Sequence, residues 1–182
     1  MACVLVVGCG GGSGSGGGVG VPSAPVTRAG ETEVWSSVLT SRVWGQIKDG
    51  AIRVHVGRRT VVPPCALDAA RLRAGLPGVR ADTVADFLAR MREPGALGGQ
   101  VRSIFRIVLL EPDEVAVLAD APIWKRHPDS AGLVELSRVG LGQGGDDALV
   151  YFRERSSVGY VIHLRRTHQW LEQTLMECAR AP

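Results

Sequence analysis

The stretch from Gly132 to Leu164, GLVELSRVGLGQGGDDALVYFRERSSVGYVIHL, decides the fold because it consists of short apolar runs separated by turn residues. The runs lie at 133–139, 148–153 and 158–164, and the glycines, aspartates and serines between them are typical of turns. In the last run alternate residues face opposite sides, which indicates a strand. The pattern predicts neighbouring antiparallel strands, a C-terminal β-meander.

The segment that follows, from Trp170 to Leu175, fits two structures. Its apolar residues match one face of a helix over 169–178. The turn-like residues 165–168 before it would equally make it the fourth strand of the meander. We favour the strand.

The chain before the meander alternates between helical and strand-like patterns. Its clearest element is a helix that Asp82 can cap, with a buried stripe that includes Val84 and Phe87 and a stop at Pro94-Gly95. Further helices are predicted at 32–44, 65–74 and 112–120, and strands at 52–56 and 104–110. We therefore expect a single α+β domain over residues 31–182, with helices packed on an antiparallel sheet.

Composition excludes several classes of protein. The 182 residues are 45% hydrophobic and 21% charged with a net charge of +3, as in an ordinary globular chain. No run approaches the roughly 18 to 20 apolar residues of a membrane-spanning helix. The arginines are scattered rather than clustered, so we do not expect nucleic acid as a partner.

The N-terminus has the pattern of a targeting signal rather than of a folded segment. Val6-Val7-Gly8-Cys9 resembles the lipobox of bacterial lipoproteins, in which the cysteine receives a lipid after the leader is removed. We expect a signal-like leader at 1–8, a lipid on Cys9 and a flexible Gly/Ser-rich tether at 9–30, which would attach the protein to a membrane of the bacterial envelope. The alternative is a cytoplasmic protein with a glycine-rich extension, in which Cys9 has no role.

The cysteines do not predict a metal site. None has the Cys-x-x-Cys spacing or the neighbouring histidine of a zinc site. A disulfide between Cys65 and Cys178 is compatible with the sequence. We expect no metal and no other cofactor.

Three residues are candidates for ligand binding: Ser137, Arg138 and Trp124. Arg138 could hold a carboxylate or phosphate through its planar guanidinium, with Ser137 adding a hydrogen bond. The structural alternative is that Arg138 pairs internally with Asp146, Asp147 or Glu135. Trp124 could mark a binding surface or fill the core.

An envelope hydrolase is the alternative to a binding or structural module. It would use Ser137, or a histidine together with Glu135, Asp146 or Asp147. The sequence contains neither a Gly-x-Ser-x-Gly elbow nor a His-Glu-x-x-His helix. We therefore expect a binding or structural module with an unidentified envelope protein or ligand as its partner.

Several blocks together resemble a group of uncharacterised bacterial exported proteins and lipoproteins, over roughly residues 35 to 175. The blocks are Asp86-Phe87-Leu88, Trp124 with 127–132, Ser137-Arg138-Val139-Gly140 after Leu136, Ala148-Leu149-Val150-Tyr151, and Gly159-Tyr160-Val161 with Leu164 and Trp170. The resemblance implies one fold unit and an envelope location, and it implies no reaction. The chain departs from the group at Leu141-Gly142 and at 153–158, where relatives have Phe-Asn and a Cys- and Gly-rich hairpin.

Overall fold

The computed structural model describes residues 28–44, 53–98, 100–118, 123–154 and 158–179. The predicted leader, Cys9 and the tether up to residue 27 lie outside the described residues. The first helix begins at Ala29, two residues before the predicted start of the domain at 31.

Helices and strands alternate in the first half of the described chain, and strands fill the second half. The helices are α1 (Ala29–Trp44), α2 (Ala69–Gly75), α3 (Ala81–Arg90), α4 (Pro112–Val117) and α5 (Ile123–Arg126). The strands are β1 (Arg53–Gly57), β2 (Arg106–Leu110), β3 (Ser130–Leu136), β4 (Gly140–Leu141), β5 (Asp147–Glu154), β6 (Gly159–Arg166) and β7 (Trp170–Cys178).

The strands form one sheet in the order β2-β1-β3-β5-β6-β7, and the short β4 pairs with β5. Strand β1 runs parallel to both of its neighbours, β2 and β3. All other pairs are antiparallel. The sheet is therefore mixed and largely antiparallel, and its last three strands form a meander.

Helix α1 covers one face of the sheet. Its apolar side chains recur at helical spacing and are buried against alternate residues of the strands, such as Val150 on β5 and Ile162 on β6. The buried residues of α1 are Val34, Trp35, Val38, Leu39 and Val43.

The intervening strand residues point to the opposite face and are buried there too. Leu149, Tyr151 and Val161 form a second core with residues of α2 and α3, such as Leu72 and Phe87. A third, smaller cluster joins α4 and α5 to the β2 and β3 side of the same face. Since both faces are covered, the domain has three layers, and most residues of β5 and β6 are buried on either face.

The predicted α+β class and C-terminal meander are confirmed. The ambiguous segment is strand β7, which pairs with β6 along its length. Leu171 and Leu175 gave the segment its helix-like apolar spacing, but both are exposed, at 40% and 41%. The pairing shifts register between His163 and Leu164, and this irregularity disturbs the strict alternation by which a strand is recognised.

Several features were not predicted, among them strand β4 and the end of β3 at Leu136 rather than at residue 139. The sheet contains two parallel pairs around β1, because a short apolar run such as 106–110 does not reveal the direction in which its strand pairs. Helix α5 is only four residues long, so it has no periodic stripe.

The disulfide that the sequence allowed is present. Cys65 and Cys178 are bonded, with their Cα atoms 5.4 Å apart, across a sequence separation of 113. The bond attaches the segment before α2 to the end of β7. Within the described ranges, no helix combines the length and apolar character needed to cross a bilayer.

Candidate functional site

Ser137 lies in the turn between β3 and β4 and is fully buried. Its hydroxyl donates to the carbonyl oxygen of Arg138 (2.6 Å) and accepts from the backbone N–H of Tyr151 (2.8 Å). Its own carbonyl accepts from the indole of Trp35 (3.0 Å). The hydroxyl therefore holds backbone segments together, and no histidine is among its hydrogen-bond partners in the described chain.

Arg138 is also buried, and its guanidinium grips a carboxylate of the same chain. Nε donates to Oε1 of Glu31 (2.9 Å) and Nη2 donates to Oε2 (3.0 Å). Glu31 also forms an ion pair with Nη1 of Arg90 at 2.7 Å and accepts from the N–H of Val139 at 3.2 Å. The internal partner of Arg138 is thus Glu31, not Asp146, Asp147 or Glu135, because α1 places Glu31 over the β3–β4 turn.

The charge state of Glu31 follows from these contacts. Burial raises the pKa of this carboxyl, but its contacts with Arg138, with Arg90 and with backbone N–H groups lower the pKa by more, so the net shift is downward. Glu31 therefore remains an anion, and the pair ties the first turn of α1 to the sheet.

Trp124 lies on α5. Its side chain lies outside the described part, so its role in binding stays a prediction.

A histidine and a carboxylate do meet on the α3 face of the sheet. Nε2 of His163 lies 2.7 Å from Oδ1 of Asp147, and Asp147 also accepts from the hydroxyl of Thr83 (2.7 Å) and the N–H of Arg80 (3.2 Å). Burial raises the pKa of Asp147, yet the bonds from His163, Thr83 and Arg80 lower it more. His163 is 1% exposed and Asp147 is fully buried. Because Asp147 also binds Thr83 and Arg80, the buried pair anchors the start of α3.

A second histidine lies beside a serine at the start of β3. Nδ1 of His55 is 2.8 Å from the hydroxyl of Ser130, and the ring of His127 lies 4.6 Å from that of His55. Burial lowers the pKa of His55, and the charge of His127 lowers it further. Across the described residues, histidine, cysteine, aspartate and glutamate side chains nowhere form a group of three suited to a metal ion.

The described surface contains an open cleft of about 890 Å³ over the outer face of α1. We call it the α1 trough. Its floor is the side of α1 that faces away from the sheet, and its walls are formed by residues of the 100–104 loop and of the β6–β7 hairpin, 166–172. The floor residues are Thr32, Glu33, Ser36, Ser37, Thr40 and Ser41.

Two adjacent serines fix the walls to the floor. The hydroxyl of Ser36 accepts from the backbone N–H of Arg102 at 2.9 Å, which holds the loop. The hydroxyl of Ser37 donates to the carbonyl oxygen of Trp170 at 2.9 Å, which holds the hairpin. Since neighbouring helix residues point about 100° apart, the pair reaches both walls at once.

The charges of the trough are partly neutralised within it. Glu33 pairs with Arg166 at 3.2 Å, and Glu172 pairs with Arg42. Two basic side chains, Arg102 and His168, lie on opposite walls, and neither has an acidic partner among the described residues.

Sequence reasoning missed this site, although α1 carries a signal. An exposed helix face usually holds lysine and glutamate, but residues 32–41, TEVWSSVLTS, place hydroxyls at five of ten positions. Serine and threonine are poorer helix formers than those residues, so such a face indicates a contact surface. The wall residues are distant in sequence, and no local pattern links them to α1.

Comparison of the chain with protein-family models, with curated proteins and with solved structures found no match in any of the three.

Proposed function

We propose that the protein is a binding module of the bacterial envelope, anchored through a lipid on Cys9, and that the α1 trough is its ligand site. The observation that carries the proposal is the trough itself: an open cleft with a hydroxyl floor, two walls held by Ser36 and Ser37, and basic side chains on both sides. A concave surface in which a few polar groups converge is the usual form of a ligand site.

The disulfide supports the envelope location. Disulfides persist in exported proteins and are rare in the reducing cytosol of most cells. The bond between Cys65 and Cys178 links residues 113 apart in the sequence and joins two parts of the core. It therefore favours an oxidising compartment over the cytoplasmic alternative.

The hydrolase alternative has less support. A hydrolase needs a nucleophile or a base that substrate can reach. Ser137, His163 and Asp147 are each 1% exposed or less, and their hydrogen bonds hold backbone segments or the start of α3. The observations therefore favour binding over hydrolysis.

The lipid anchor is tested by the intact mass of the full chain recovered from a bacterial membrane fraction, with Cys9→Ala as the control. We expect a species that begins at Cys9 and carries a diacylglyceryl group, absent from the control. An unmodified chain in the cytosolic fraction would contradict the anchor.

The binding function is tested with the Cys9→Ala chain, which has no lipid to bring it to membranes. We expect it to sediment with purified bacterial envelope fragments, and we expect Arg102→Glu to weaken this sedimentation. The matched control is Arg73→Glu, because Arg73 is an exposed arginine on α2, behind the opposite face of the sheet. Equal sedimentation of the two variants would overturn the assignment of the trough.

A further inference from the structure

We infer that the α1 trough binds an acidic glycan, that is, a sugar chain that bears carboxylate or phosphate groups. This inference rests on the proposed function, because it names the ligand class of the same site. Three properties of the trough carry it: the hydrogen-bonding character of the floor, the charge of the walls and the apolar groups at the edges.

The floor offers acceptors rather than donors. The hydroxyl protons of Ser36, Thr40 and Ser41 are directed to backbone carbonyls of α1, at 2.7, 2.8 and 3.3 Å. The proton of Ser37 is directed to Trp170. Four of the five floor hydroxyls therefore have their protons engaged and offer lone pairs to an occupant, although one lone pair of Ser36 is already used by the N–H of Arg102. An occupant must therefore supply donors along most of its length.

Sugar hydroxyls meet this requirement better than a peptide backbone does. A sugar hydroxyl donates to a lone pair and can still accept from a wall group. An extended peptide brings one carbonyl oxygen for every N–H, and those carbonyls would face a floor on which four of the five hydroxyl protons are already engaged. The floor thus favours a glycan over a peptide.

The walls supply the charge preference. Glu33 of the floor and Glu172 of a wall are paired with arginines, whereas Arg102 of the other wall has no acidic partner in the part of the chain that the structure describes. A guanidinium binds carboxylates and phosphates with charge-assisted hydrogen bonds. A carboxylate or phosphate of an acidic glycan would give the guanidinium of Arg102 an anionic partner.

The edges of the trough are apolar. Ile104 on one wall and Leu171 on the other are 56% and 40% exposed, so both present apolar surface to an occupant. They flank the hydroxyl floor and can cover the C–H surfaces of sugar rings. The trough therefore matches the mixed polar and apolar surface of a sugar chain.

The test uses the full chain and fluorescently labelled polymers of defined chemistry, with binding followed by anisotropy. The probes are polygalacturonate for a carboxylate glycan, phosphomannan for a phosphate glycan, dextran for a neutral glycan and polyglutamate for an acidic peptide. We expect binding to at least one of the two acidic glycans, weaker binding at high salt, and little binding to dextran or polyglutamate.

Two variants and one control assign the binding to the trough. Arg102→Ala should weaken binding of the acidic glycan about tenfold, because one charge-assisted contact is lost. Thr40→Val keeps the shape of the floor but removes an acceptor, and it should weaken binding about threefold. Arg73→Ala should leave binding unchanged.

The outcomes separate this inference from the proposed function. Trough-dependent sedimentation with envelope fragments but no binding to either acidic glycan would overturn the ligand class and leave the binding module. Preferential binding of polyglutamate or dextran would likewise overturn the ligand class and leave the binding module. Acidic-glycan binding that Arg73→Ala weakens as much as Arg102→Ala would overturn the site.

Discussion

Glu31 and Arg138, 107 residues apart in the chain, form a two-bonded ion pair in which both side chains are at most 4% exposed. The pair fixes the first turn of α1 to the turn after β3, and Arg90 of α3 joins it from a third element. Because α1 is the floor of the trough, this buried pair helps to determine where the floor lies. The residue that the sequence offered as a ligand-binding group thus positions the helix that carries the candidate site.

Substitution of Arg138 should destabilise the whole domain. Arg138→Ala leaves the Glu31 carboxylate buried with fewer partners, so we expect the free energy of unfolding to fall by about 3 kcal/mol. Urea denaturation followed by circular dichroism measures this loss. The control is Arg58→Ala, whose pair with Glu111 is about half exposed on both sides and should cost about 1 kcal/mol or less. Equal stability of Arg138→Ala and the wild type would show that Arg138 is free for another role.

Loss of the disulfide should lower stability without changing the fold. The bond between Cys65 and Cys178 spans 113 residues, and closing a loop of this size in the unfolded chain is worth about 4 to 5 kcal/mol. We expect the Cys65→Ser/Cys178→Ser double variant to unfold at lower denaturant, as the wild type should after reduction. A wild type indifferent to reduction would argue that the bond does not form.

Gly140 is required by a close approach of α3. A Cβ atom at this position would lie 2.5 Å from the backbone nitrogen and Cα of Phe87, which cannot move without shifting the helix. Gly140→Ala should therefore cost about 3 kcal/mol in thermal or urea unfolding. Gly57→Ala is the matched strand control, because its Cβ would meet only ordinary contacts at 3.5 and 3.7 Å. The prediction fails if the two variants are equally stable.

Mild acid should weaken the domain through His55. Its pKa is lowered from 6.5 by burial first, and then by the charges of His127 and Arg53, against the opposing charge of Asp129. A histidine with a lowered pKa stabilises the fold above its unfolded pKa, and the stabilisation is lost as pH falls from about 6.5 toward the folded value. We expect the free energy of unfolding to decrease as the pH falls below about 6.5, and His55→Gln to flatten this slope. An unchanged slope in His55→Gln would assign the acid sensitivity to other groups.

The sequence predicted most of the elements because their patterns are local. The stripe of Val84 and Phe87 marked α3, and the alternation in 158–164 marked β6, each from a few consecutive residues. The direction of β1 was not predictable in this way, since parallel pairing depends on crossovers rather than on the strand's own residues. The candidate site was harder still to predict from the sequence. Arg138 finds its partner 107 residues away, and the trough combines a helix, a loop and a hairpin that only the folded chain brings together.

The most direct test of the central claim, that the α1 trough is the ligand site, is hydroxyl-radical footprinting of the Cys9→Ala chain with and without envelope fragments. Ile104 and Leu171 line the trough, whereas Val62 and Val117 are similarly exposed, at 49% and 54%, and lie outside it. We predict that bound envelope material protects Ile104 and Leu171 from oxidation and leaves Val62 and Val117 unchanged. Equal oxidation of all four with and without the fragments, or protection of Val62 and Val117 alone, would contradict the account.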